Sequence, residues 1–84
     1  MNNAEKLTRL AELAIGTYNL ENGCLVSEVS LGTTLDIDGK EAYAFTKKSI
    51  VFWDGSTKRF TDLNEEDILT IYQAISDEYG VEVY

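Results

Sequence analysis

The chain contains 84 residues, of which 44% are hydrophobic and 26% are charged, and its formal net charge is −8. These proportions are those of an ordinary globular protein, and the length predicts one compact domain spanning residues 1–84. No uninterrupted apolar run exceeds four residues, so no segment can cross a bilayer, and the first residues lack the apolar region of a signal peptide. We therefore expect a cytoplasmic protein that does not associate with membranes.

The histidine and cysteine content excludes several kinds of chemistry. The sequence has no histidine, which is the commonest general base and metal ligand, and its single cysteine cannot form an internal disulfide or a zinc site. We interpret this residue, Cys24, as a small, half-buried side chain near the start of a strand. No metal or cofactor is expected.

The first predicted element is a helix with Asn3 as its N-cap. Gly16 lies inside it, where glycine is less favourable than alanine by about 1 kcal/mol, and residues 22–23, Asn-Gly, form a turn signal. The helix is therefore predicted to end between Ile15 and Leu20. Five side chains share its apolar face: Leu7, Leu10, Ala11, Ala14 and Tyr18.

The middle of the chain is predicted to be β structure. Apolar residues fall on alternate positions between Leu25 and Ile37, as in a strand with one buried face. Residues 38–39, Asp-Gly, then turn the chain into a second strand over residues 42–45.

The length of this turn determines which residues of the two strands lie opposite each other. A two-residue loop would place Asp36 opposite Glu41, and like charges in that position are unfavourable. A three-residue loop over residues 38–40 avoids the conflict, and we favour it. It predicts two cross-strand pairs: Leu35 with Tyr43, and Thr33 with Phe45.

Residues 50–53, Ile-Val-Phe-Trp, are apolar on both faces of the third predicted strand. Such a strand is usually central and covered on both sides. The alternative is that one face, either Ile50 with Phe52 or Val51 with Trp53, stays open for a partner. The basic residues on either side are typical of gatekeepers that protect an aggregation-prone segment: Lys47, Lys48, Lys58 and Arg59. A turn at residues 54–55 and a short strand over residues 58–60 follow.

The second helix is the most completely specified element. Asn64 predicts its N-cap and Gly80 its left-handed end. Five residues at helical spacing form its apolar stripe: Ile68, Ile71, Tyr72, Ile75 and Tyr79. Residues 82–84 are interpreted as a short terminal strand. The predicted fold is thus a two-layer α+β domain with an N-terminal helix, three or four antiparallel strands and a C-terminal amphipathic helix.

Known catalytic and binding motifs fit the chain poorly. Residues 36–39, Asp-Ile-Asp-Gly, resemble the opening of a calcium loop, but the glycine spacing is wrong and Lys47 occupies the position of the closing glutamate. No glycine-rich phosphate loop is present. The acidic pairs at residues 65–66 and 77–78 lie on a helix whose inner face is apolar, which favours a solvated surface over acid–base catalysis. We expect a protein that is not an enzyme.

The charge distribution favours a protein-interaction or regulatory domain that docks a basic partner protein. Asp77 and Glu78 stand at the negative end of the helix dipole, where folding alone does not favour them, and Glu66 adds charge to the same helix. Val51 and Trp53 are the candidate contacts on the sheet. These five residues are the predicted partner-binding set.

Two alternatives remain open. The first is nucleic-acid or anion binding on the sheet, in which Trp53 or Phe52 provides a stacking surface. Its positive charge would come from Lys47, Lys48, Lys58 and Arg59. The acidic net charge disfavours nucleic acid, since phosphate backbones repel such a protein. The second alternative is an accessory subunit held by apolar contacts through the sheet.

Overall fold

A computed structural model describes residues 2–83. Its elements, in chain order, are α1 (Asn3–Asn22), β1 (Val29–Ile37), β2 (Lys40–Phe45), β3 (Ser49–Phe52), β4 (Thr57–Arg59), a 3-10 turn (Phe60–Asp62) and α2 (Glu65–Tyr79). The four strands form one open antiparallel sheet in the order β1-β2-β3-β4. The predicted α+β fold class is confirmed.

Helix α1 begins earlier and ends later than predicted. Its N-cap is Asn2 instead of Asn3, and the Asn2 Oδ1 atom accepts a hydrogen bond from the Glu5 backbone N–H at 2.8 Å. The helix continues through Gly16 and ends where Gly23 adopts the left-handed conformation, with φ 61°. The predicted end between residues 15 and 20 is wrong because a glycine with helical φ does not stop a helix.

The apolar face of α1 differs from the prediction at two positions. Leu7, Leu10, Ala11 and Ala14 are buried as expected, and these four are joined by Ile15. Tyr18, predicted to share that face, is exposed in the added last turn of the helix.

The strand predicted from Leu25 begins only at Val29, because the side chain of Asn19 holds the preceding residues as a loop. Its Oδ1 atom accepts from the Val26 backbone N–H and its Nδ2 atom donates to the Val26 carbonyl, both at 3.0 Å. These two bonds satisfy backbone groups that a strand would have paired with its neighbour. Leu25 is left 98% exposed in that loop.

The turn between β1 and β2 is two residues long, so the predicted three-residue loop is wrong. Asp38 and Gly39 both have positive φ, 56° and 75°, as a type I′ turn requires. Such a turn matches the twist of the flanking strands. Asp36 therefore lies opposite Glu41 despite their like charges.

A bulge in β1 restores the burial that this register would otherwise lose. The pairing shifts between Ser30 and Leu35, and Gly32 adopts φ 76° within the shifted stretch. Beyond it, Val29 pairs with Phe45, and both are buried. The bulge thus allows the tight turn and the apolar pairing to coexist.

Both helices pack on one face of the sheet through a single core. Asn64 caps α2 as predicted, with its Oδ1 atom accepting from the Asp67 backbone N–H at 2.8 Å, and Gly80 ends the helix with φ 65°. The α2 stripe lies in the core, with its tyrosines at the margin. Residues of every layer meet there: Leu7, Leu10, Ala11 and Ala14 from α1, Ile68, Ile71 and Ile75 from α2, and Val29, Leu31, Ile37, Ala42, Phe45, Ile50 and Phe52 from the sheet.

The C-terminal residues return along α2 instead of joining the sheet. Residues 81–83 have no regular secondary structure, and the Val83 backbone N–H donates to the Tyr72 hydroxyl at 3.0 Å. The predicted terminal strand is therefore wrong for residues 82 and 83, since a side chain takes the backbone N–H that a strand would pair. Its last residue, Tyr84, lies outside the described residues.

The α2 packing leads to a stability prediction with a matched control on the same helix. Ile71 is completely buried, whereas Leu69 is 57% exposed. Ile71→Ala should lower the free energy of unfolding by about 2–5 kcal/mol, because it leaves a cavity in the core. Leu69→Ala should change it by less than about 0.5 kcal/mol. Chemical denaturation measures both, and equal effects would contradict this packing.

A second prediction concerns the end of α2. Gly80→Ala should destabilise the domain by roughly 1 kcal/mol, because a Cβ is strained at φ 65°. Gly80→Asn is the control, since asparagine tolerates this conformation better and should cost less. Thermal melts of the two variants give the comparison. A smaller loss for alanine than for asparagine would argue against the strain explanation.

Candidate protein interaction surface

The sheet face turned away from the helices, called here the outer face, is floored by one short side chain from each strand. Register places Ser30, Ala44, Val51 and Thr57 in a row across β1, β2, β3 and β4. Ala44 and Val51 are buried, yet neither belongs to the core cluster that the helices cover. The core cluster that the helices share with the sheet therefore lies on the other face.

An exposed aromatic pair stands beside this floor. The Trp53 backbone N–H donates to the Glu41 carbonyl at 3.0 Å, which extends the pairing of β2 with β3 by one residue. Because Phe52 points into the core, Trp53 points to the outer face. Its indole is 62% exposed and stacks on the Tyr43 ring, with centroids 3.9 Å apart and planes inclined by 11°.

A second bulge puts Tyr43 in position for this stack. Ala42 pairs with Phe52 and Ala44 pairs with Val51, so Tyr43 is the extra residue of β2. The extra residue of a bulge changes the direction in which its side chain points. Without it, Ala42 and Ala44 would lie on the same face of the strand.

Acidic side chains lie in the same row as the indole. Asp36 is opposite Glu41, and Glu41 is the residue of β2 whose carbonyl binds Trp53. All three therefore belong to the outer face. Like charges directly opposite each other on a sheet are generally unfavourable neighbours.

Asp54, the next residue after Trp53, stays ionised at low pH. Hydrogen bonds from the Ser56 hydroxyl and from the Ser56 backbone N–H, and the Lys40 ammonium at 3.3 Å, lower the pKa of Asp54 from 3.8 to about 2. The Lys40 ammonium also binds the Ser56 hydroxyl at 3.1 Å. Lys40 is thus held by the turn that follows the aromatic pair.

The remaining residues of the nucleic-acid or anion alternative do not join Trp53 in one exposed site. Phe52 is 3% exposed, so its ring offers no face for a base. Lys58 forms an ion pair with Asp38, which raises the pKa of the lysine. Lys47, Lys48 and Arg59 lie near the opposite end of β3, roughly 13 Å along the strand from Trp53.

The three acidic residues predicted on α2 lie on the helical layer, away from Trp53 and Val51. Glu66 is exposed in the first turn, and Asp77 accepts a hydrogen bond from the Gln73 side chain at 2.8 Å. Glu78 covers the bulge of β1, because its carboxylate occupies the space that a Cβ of Gly32 would fill. The structure therefore does not bring the five predicted residues into one site.

Tyr79 reinforces the contact of α2 with the same bulge. Its hydroxyl donates to the Ser30 carbonyl, and its ring meets Phe45 edge to face with centroids 5.8 Å apart. Burial raises the pKa of this phenol, as does the charge of Glu78. The last turn of α2 thus has a structural role in protecting the edge of β1.

The described residues contain little that points to other chemistry. Cys24 is half-buried, and its thiol donates to the Asn19 Oδ1 atom at 3.4 Å. Residues 2–83 contain no group of three or more cysteine, aspartate or glutamate side chains that could hold a metal ion. None of the helices within that range combines the length and the hydropathy needed to span a membrane.

Comparison with known proteins gives no match: no family model, no curated protein and no solved structure is similar to this chain.

The turn beside the aromatic pair generates a prediction about pH. Ser56→Ala should raise the pKa of Asp54 part of the way toward 3.8, and by more than Lys40→Met does, because the Ser56 hydroxyl bond is the largest cause of the shift and only the backbone bond remains. Since the folded pKa is the lower one, Asp54 supports folding above pH 3.8 and loses this contribution as the pH falls toward 2. NMR titration of the Asp54 carboxyl measures the shift. An ordinary value in the unaltered protein would contradict these bonds.

Proposed function

We propose that this protein is a non-enzymatic interaction or regulatory domain that binds a basic partner protein through its outer face. The observation that supports this most directly is the Trp53–Tyr43 stack. A large aromatic side chain, 62% exposed on a sheet face without a helical cover, has no role in the core of the monomer. Tryptophan and tyrosine are also the residues most often found at the centre of protein interfaces.

Charge supports the choice of a basic partner. Asp36 and Glu41 lie in the same row as Trp53, Asp54 follows Trp53 in the chain, and the whole chain carries a net charge of −8. Arginine and lysine side chains bind favourably over the face of an indole, and flanking carboxylates strengthen that contact. Lys40, which the turn after Trp53 holds, is already paired with Asp54. A guanidinium or ammonium group of the partner therefore fits this surface.

The acidic residues of α2 support the proposal less directly. Glu78 covers the β1 bulge and Asp77 is engaged by Gln73, so both have contacts within the fold. They still add to the long-range negative field that attracts a basic protein. We assign them to steering and assign Trp53 to the contact itself.

Because Trp53 is the only tryptophan, its fluorescence reports directly on the proposed contact. An arginine-rich peptide should shift the Trp53 emission and bind more weakly as salt is raised. Glu41→Gln should weaken binding on the order of tenfold, because truncating a charge near the contact typically costs about 1–2 kcal/mol. Leu69→Ala, which alters an exposed apolar residue on the helical layer, is the control and should bind normally.

Two further measurements separate this function from its alternatives. Trp53→Ala should abolish binding of a labelled peptide while the fold survives, whereas Asp77→Asn with Glu78→Gln should reduce only the association rate. If only the α2 double variant loses the complex, the binding site lies on that helix. Single-stranded DNA that binds more tightly than the peptide would favour the nucleic-acid alternative, and no response to any basic peptide would contradict the proposal.

A further inference from the structure

Helix α1 carries an exposed stripe on the side opposite its core face, and the stripe is apolar except for Arg9 at one end. Arg9, Leu13, Gly16 and Leu20 recur at spacings of three and four residues, which places them on one line along the helix. Leu13 is 49% exposed and Leu20 is 88% exposed. The stripe borders an open groove of about 930 Å³ that Glu12, Glu82 and Val83 also line.

Gly16 is the residue of this stripe that the monomer does not explain. No atom lies within 4 Å of the position that a Cβ would occupy, and its φ is an ordinary one, so alanine would fit without strain. Alanine would also make the helix more stable. A glycine on an outward helical face does have a use where a second helix crosses, because the absent side chain lets the two axes approach closely.

The stripe is complementary to itself. The midpoint between Leu13 and Leu20 falls beside Gly16, so two antiparallel α1 helices crossing there would bring Leu13 of each copy against Leu20 of the other. In the same arrangement, Arg9 of each copy lies near the C-terminal end of the other copy's α1. That end has no basic residue in its last turn, and it carries Glu21 and the negative pole of the helix dipole.

We infer that α1 is a homodimerisation surface on which a second copy of this chain packs antiparallel, with the helices crossing at Gly16. The dimer buries the four exposed leucines of the two stripes, and Arg9 of each copy neutralises the C-terminal end of the other α1. This surface is separate from the outer face, because α1 lies on the helical layer. Dimerisation and the proposed binding of a basic partner can therefore fail independently.

Sedimentation velocity from micromolar to millimolar protein tests the inference. The full chain should pass from monomer to dimer, and the dimer should strengthen as salt is raised, because each copy carries a net charge of −8. This is the opposite of the salt dependence expected for a basic partner. Leu20→Gln should raise the dimer dissociation constant by on the order of tenfold or more, since it removes a central apolar contact.

Gly16→Ala distinguishes a dimer surface from a merely structural role. The variant should unfold at a higher denaturant concentration at low protein concentration and should dimerise more weakly, because its methyl group holds the helices apart. Leu69→Gln, which changes an exposed leucine on α2, is the matched control and should leave dimerisation unchanged. A chain that stays monomeric at high concentration and high salt would overturn the inference. So would a dimer that neither Leu20→Gln nor Gly16→Ala weakens.

Discussion

The size of the apolar core limits what the rest of this small protein can do. Two helices are enough to cover one face of a four-stranded sheet, and both are held on the same face by a single cluster of buried side chains. The opposite face must then be floored by small side chains that shield one another, as Ala44 and Val51 are. Burial within the monomer does not require an exposed tryptophan on that face. For this reason the outer face is the candidate site.

The elements whose ends have local chemical signals were predictable from sequence. Helix α2 is the clearest case, since Asn64 and Gly80 define its two ends by their own hydrogen bonds and dihedral angles. The end of α1 was predicted too early because residue type alone does not distinguish Gly16 from Gly23. Only Gly23 adopts the left-handed conformation. A helix ends where a residue adopts the left-handed conformation, and the surrounding contacts decide which glycine adopts it.

The register of β1 and β2 shows where pairwise reasoning falls short. Like charges that face each other across two strands are unfavourable by roughly 0.2–1 kcal/mol. The predicted register weighs this penalty and leaves out the conformational preference of the turn. The turn at Asp38 and Gly39 has the twist that a hairpin prefers, and a bulge around Gly32 absorbs the resulting mismatch farther along the strand. Gly32 inside a strand pattern is a local sign of a bulge, but the extent of the shift depends on contacts across the domain, including that of Glu78 with Gly32.

The candidate site was likewise predictable from the sequence only in part. Trp53 was identifiable because it ends an apolar strand, but its stack with Tyr43 depends on the bulge in β2 and could not be read from spacing. The Asp36–Glu41 pair gains a meaning only in this setting. In an isolated hairpin the pair is a local defect, whereas on the outer face it lies in the same row as an exposed indole. We propose that this placement of like charges in one row with an exposed indole reflects a surface shaped by binding as well as by stability.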